Sequence, residues 1–448
     1  MRALSLLIAA YLISLVFSYE KTWMHPELPM VFHPSAIKNG TAPTLSDFSR
    51  ILKFEEFDST PRSRLLSLLV LIWNEKLRLW IFRFVPPHPS FSVTWLFTLV
   101  LSPLLFFLVA RRLTDSARAS ALGTAIFVSS VGNLSGVSLL FHPGKPLAIF
   151  FLLLSLFLFL RVDEELPRGD KRTLPFFFAA LFLGYLCEET FWFILVAIPL
   201  LQPSPLFTEK RFALFRIGFF GSFFTFVVAL QVGLSYPFLQ YALTENFGLR
   251  LPLLLPFGSN AFHLIRDFFL PSTAGGWAIA VCAALIVLLV KIAARANKED
   301  GLLLLRLFFL AGLFTAYQTL LFTRGNILIR SGFYYGSAFS LFVALFLAVL
   351  FSSRRVPKLT SVLAASLVCA ISITNFEAIN REWRAYHTPI YRGALPERFS
   401  ALREGQTVTR DEILRLWKNP GDPALFPGLP PDAYGFLSEL EQSPKKSR

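Results

Sequence analysis

Five short clusters of lysine and arginine separate the apolar stretches of this chain. They are Arg111/Arg112/Arg118, Arg161/Arg168/Lys171/Arg172, Lys210/Arg211/Arg216, Lys291/Arg295/Lys298 and Arg354/Arg355/Lys358. Each lies between hydrophobic stretches long enough, or nearly long enough, to cross lipid. Short basic loops stay on the cytoplasmic side of a membrane, so the pattern predicts all five together on that side and every other loop opposite. Composition agrees: 54% of the residues are hydrophobic and 16% charged, against about 25% charged in a soluble domain. The net charge of +14 would suggest nucleic acid in a soluble protein. Here sixteen of the basic residues belong to the five clusters. The excess is topological and gives no separate reason to propose a nucleic-acid partner.

Threading begins with an apolar stretch over 3–18, preceded by Arg2. It is short against the roughly 20 residues a crossing takes, and a cleaved signal peptide ending near Ser18 is the alternative. Either way residue 19 onward lies outside, opening a long first external loop over 19–91. Within it, 65–81 is apolar but interrupted by Asn74, Glu75, Lys76 and Arg78, which suits a helix in the interface or against the bundle better than a lipid-exposed span. Further spans are expected over 93–110, 120–141 and 146–160.

The stretch 174–201 decides the topology. As one helix it would export every later basic cluster; as two short helices hinged at Glu188-Glu189 it keeps them all inside. The hinge also spares two carboxylates a mid-membrane position, where each would cost about 2.5 kcal/mol or more. Two helices are therefore expected, with both acids at the outer surface. Spans over 217–234, 277–290, 302–322, 331–351 and 359–373 complete an all-α polytopic membrane protein of about eleven transmembrane helices. Residues 1–375 form the membrane module, and 376–448 a small external tail or cap. The N-terminus is expected in the cytoplasm and the C-terminus outside.

The densest polar constellation, Phe54-Glu55-Glu56-Phe57-Asp58-Ser59-Thr60-Pro61-Arg62-Ser63-Arg64, sits in the first external loop. A carboxylate such as Asp58 or Glu56 can take an acceptor hydroxyl's proton, and arginines such as Arg62 can neutralise a phosphate leaving group. The same residues also read as a helix start, with Asp58, Ser59 or Thr60 as N-cap and Pro61 in the first turn. Glu20, just after the first apolar stretch, is either a second acid of the cleft or a surface residue. Arg324 and Arg330 flank an external turn, where they can hold phosphate or snorkel to head groups. Glu188, Glu189 and Lys145 are candidate substrate-site residues, the two acids on the ground that polar groups at membrane depth are functional by default.

Cys187, Cys282 and Cys369 fall in separate apolar segments and read as small core residues. The six histidines form no close ligand pair, and four precede proline; a divalent metal has no support in the pattern. Asn39-Gly40-Thr41 and Asn133-Leu134-Ser135 match a glycosylation acceptor pattern of low specificity.

The layout resembles the GT-C class of integral membrane glycosyltransferases. Three stretches carry the likeness: Phe57-Asp58-Ser59-Thr60-Pro61-Arg62, the small-residue span before Phe141-His142-Pro143-Gly144-Lys145-Pro146, and Tyr185-Leu186-Cys187-Glu188-Glu189-Thr190. The last looks like a Lys-Glu motif of that class, with Glu188 in the lysine position. The resemblance implies transfer of a sugar from a polyprenyl-phosphate-linked donor to an acceptor at the external face, in a multi-pass protein of the bacterial inner membrane. Membrane lipids and the donor would be its partners. Two departures stand out: Glu20 is alone where many members carry an acidic pair, and the second external loop lacks a carboxylate. A lipid or polysaccharide transporter and a non-catalytic membrane scaffold are the alternatives. A transporter predicts charges lining the spans, which are almost free of them, and no internal repeat supports one.

Overall fold

The computed structural model of the chain describes residues 66–67, 69–70, 96–138, 144–202, 204–229, 265, 269–270, 276–293, 295, 298–321, 337–353 and 355–392. Its elements are helical, with no strand among the described residues. A π-helical turn, Leu96–Leu101, leads into α1 (Ser102–Thr114), followed by α2 (Ala117–Ser129), α3 (Val131–Ser138) and α4 (Gly144–Glu165). Next come α5 (Leu174–Tyr185), a 3₁₀ turn (Glu189–Phe193), α6 (Ile194–Leu201), the short α7 (Pro205–Thr208) and α8 (Ala213–Val228). The rest are α9 (Gly276–Ala293), α10 (Lys298–Leu321), α11 (Ser337–Ser352) and α12 (Lys358–Arg392).

Hydrogen bonds gather the five basic clusters at one end of the bundle. Arg112 in the last turn of α1 bonds Glu164 at the end of α4, 2.7 Å away. One residue earlier, Asp163 accepts from Gln202 at 3.0 Å and from Ser204, both just beyond α6. Arg118 donates to the Phe351 carbonyl at 3.3 Å, and Ser353 donates to the Arg295 carbonyl at 3.0 Å. The loops after α1, α4, α6, α9 and α11 thus share a face, as the charge pattern requires.

The α5–α6 segment turns back on itself. Lys145 and Asp163 are eighteen residues apart on α4, or about 27 Å along the helix. Lys145 touches Glu188 between the two arms, whereas Asp163 touches Gln202 and Ser204 after the second. The chain therefore climbs the length of α4 and returns. Leu186 and Cys187 form a turn, Glu188 is extended, and α6 resumes beyond it. Helix α8 then leaves in the same direction as α5: Phe177 near the start of α5 stacks on Phe215, and Tyr185 at its end on Phe226.

Among the described residues, four helical stretches are long and apolar enough to cross a membrane: Phe97–Thr114, Gly144–Arg168, Lys210–Val228 and Lys358–Ala378. Five more apolar helices are shorter, including both arms of the hairpin. Such helices mark the chain as a helical membrane protein. At its centre α11 packs on α2, α10, α3 and α1, and it is buried nearly all round, as expected of a helix apolar on every face. Peripheral helices turn Leu214, Phe224, Phe308 and Leu359 outward, which suits lipid.

Two boundaries differ from expectation. The stretch 120–141 is not one helix but breaks at Ser130, which is extended. Its hydroxyl donates to the Phe127 carbonyl and accepts from the Asn133 amide, closing α2 and capping α3. At the far end of the chain, α12 continues to Arg392, well past the expected limit of the span at 373.

Candidate functional site

Opposite the basic loops, three segments meet: the start of α4, the turn between the hairpin arms, and helical backbone at 66–67 from the first loop. Lys145 lies in the first turn of α4. Its ammonium donates to Glu188 Oε1 at 2.8 Å and to Thr190 Oγ1 at 3.1 Å. The two charged side chains are only 1% and 2% exposed. Ser67 donates to the Cys187 carbonyl at 2.5 Å, and the Leu66 amide donates to the Leu186 carbonyl at 2.9 Å. The turn's carbonyls, left without helical partners where α5 ends, are thereby taken up by the first-loop segment. Gly144 sits among them: a Cβ there would lie 3.5 Å from Ser67 Oγ and 3.7 Å from both the Cys187 oxygen and the Glu188 Cβ.

The local sequence explains the break. α5 is uniformly apolar up to Tyr185, whose ring packs edge-on against Phe191 and whose hydroxyl meets Ser222. Gly184 leaves room for that packing, because a Cβ on it would lie 2.3 Å from the Phe191 ring. Folding Phe191 against Gly184 and Tyr185 fixes the direction of the return arm.

Glu188 stands at the far end of the hairpin and is buried there against Lys145. Burying one such charge alone would be costly, and removing one member of a buried pair typically costs about 3–5 kcal/mol. In this arrangement the ammonium is committed and sealed from solvent. Phosphate would reach Lys145 only by displacing the carboxylate. The pair consequently acts as a clasp that joins α4, the hairpin and, through Cys187, the first loop.

Of the sequence-derived candidates, the structure brings Lys145 and Glu188 together. Glu20, Glu56, Asp58, Arg62, Arg324 and Arg330 lie outside the described residues, as does the side chain of Glu189. Thr190 and Ser67 escaped the sequence reading. Thr190 carried a signal, standing two residues beyond a carboxylate in an apolar stretch; Ser67 carried none. Asn133 is buried and its amide donates to the Val128 carbonyl at 3.2 Å, so in the folded state it is closed to glycosylation. Among the described residues no three His, Cys, Asp or Glu side chains come together in a way that could hold a metal ion.

These features define a helical membrane protein with a polar clasp at the end away from its basic loops. Compared with known families, curated proteins and solved structures, the chain matches none.

Proposed function

We propose that the protein is a membrane glycosyltransferase of the GT-C kind, moving a sugar from a polyprenyl-phosphate-linked donor to an acceptor at the external face. The observation that carries this reading is the docking of the first loop, through Leu66 and Ser67, onto the hairpin turn beside Lys145 and Glu188. Arg62 precedes Leu66 by four residues and Asp58 by eight. At about 3.6 Å per residue at most, the chain between Leu66 and either residue is long enough for it to reach this end of the bundle, where a lipid-borne phosphate arrives at the membrane surface. Asp58 or Glu56 then serves as the base, with Glu20 as a further acid, and Arg62, Arg324 and Arg330 receive phosphate. In its full form the reading has eleven spans in a bacterial inner membrane, with the N-terminus cytoplasmic and the C-terminus external.

Reconstituted protein supplied with polyprenyl-phosphate-linked sugars and a panel of hydroxyl-bearing acceptors should release polyprenyl phosphate as the acceptor oxygen takes the sugar. Asp58→Asn should lower that release by about 100-fold or more, while Arg62→Gln should chiefly raise the donor KM. Equal turnover by wild type and Asp58→Asn would overturn the assignment of the base; release by neither, across the donors, would overturn the enzyme. The sealed state of the Lys145–Glu188 pair favours a second reading, a non-catalytic scaffold in which the clasp only shapes the external surface.

A further inference from the structure

At the basic end, two loops that are distant in sequence are brought side by side. Residues 168–172 lead into α5 and residues 209–211 into α8. The two helices run parallel, with Phe177 on Phe215 at 6.0 Å and Phe178 on Phe215 at 6.2 Å between ring centroids. Arg168, Lys171, Arg172, Lys210 and Arg211 are exposed there, set against the two acids Asp170 and Glu209. Both acids already face arginines, Asp170 at 3.9 Å from Arg172 and Glu209 at 2.6 Å from Arg211. Those pairs are open to solvent and exchange readily for another anion.

Immediately beyond the loops the surface becomes apolar. Phe176 on α5 and Leu214 and Ile217 on α8 are exposed. A charged rim above an apolar wall matches a molecule with an anionic head and hydrocarbon chains. The need to keep loops on one side of the membrane accounts for the sign of each cluster, but not for the pairing of two clusters beside exposed apolar residues of both helices.

We infer that the loops 168–172 and 209–211 form a headgroup site for anionic phospholipid, whose acyl chains lie along Phe176, Leu214 and Ile217. Charge complementarity selects a bilayer phosphodiester: the site is continuous with the lipid-facing surface, and basic side chains near a membrane bind anionic head groups additively. The site lies at the end opposite the clasp and does not depend on the proposed transferase activity.

The test uses the full chain in nanodiscs of phosphatidylcholine alone or mixed with phosphatidylglycerol, with retained lipid read by native mass spectrometry. Wild type should retain phosphatidylglycerol in preference to phosphatidylcholine and melt at a higher temperature in the mixed discs. The variant carrying Lys171→Gln, Arg172→Gln, Lys210→Gln and Arg211→Gln should lose that preference by at least about tenfold while melting like wild type in phosphatidylcholine. Should the variant fold poorly, the single variants Lys171→Gln and Lys210→Gln decide, each expected to weaken a preference that falls with rising salt. Equal retention of the two lipids by wild type, or undiminished preference in a folded variant, overturns the site and leaves the rim to a soluble acidic partner.

Discussion

Lys145 and Glu188 are forty-three residues apart in sequence and 2.8 Å apart in space, and their contact sets the height at which the hairpin turns. Asp163, lower on the same helix, meets the residues that follow the return arm. Two polar contacts on α4 thus gauge the hairpin at both ends. Single substitutions Lys145→Met and Glu188→Gln should each lower stability by about 3–5 kcal/mol, because each strands a buried charge. The pair Lys145→Met with Glu188→Met should recover much of that loss. Thermal unfolding in detergent reads all three, and a double variant no better than the sum of the singles would refute the clasp.

The ion pair at the basic end should behave differently. Arg112 and Glu164 are also 2.7 Å apart, but their side chains are 29% and 60% exposed. Solvent screens such a pair, so Glu164→Gln should cost less than about 1 kcal/mol. A loss matching that of Glu188→Gln would show that the basic end is sealed from water.

Gly123 marks a close approach of α2 to α11. A Cβ there would stand 2.6 Å from the Ala348 Cβ and 3.2 Å from the Ala344 carbonyl oxygen. Gly123→Ala should therefore destabilise by about 1–3 kcal/mol through overpacking, and adding Ala348→Gly should restore most of it. Unchanged melting of Gly123→Ala would mean that the two helices stand further apart.

The charge clusters and the cost of burying Glu188 made the direction of the hairpin legible before any coordinates, since both depend on local composition. The lysine that neutralises Glu188 was not legible as its partner. Lys145 belongs to another segment, and nothing in the periodicity of either stretch records which helix ends meet. The break at Ser130 was missed for a related reason: hydropathy runs unbroken through Ser129 and Ser130, and the hydroxyls that divert the backbone barely alter it. The chemistry-bearing acids and arginines of the first loop rest on residue type alone, and only their distance along the chain from Leu66 ties them to the clasp.

The hairpin makes a further demand that labelling can check. With Cys187, Cys282 and Cys369 replaced by serine or alanine, single cysteines at Lys171, Lys210 and Lys298 should all react with a membrane-impermeant maleimide from the same side. Lys171 precedes α5, Lys210 follows α6, and Lys298 opens α10, so the three report on the hairpin and on the α8–α9 return. If 174–201 crossed as one helix, Lys210 and Lys298 would label from the side opposite Lys171. If only the α8–α9 return were wrong, Lys298 alone would switch. Intact cells should leave all three unlabelled until permeabilised if this face is cytoplasmic, as the positive-inside bias predicts.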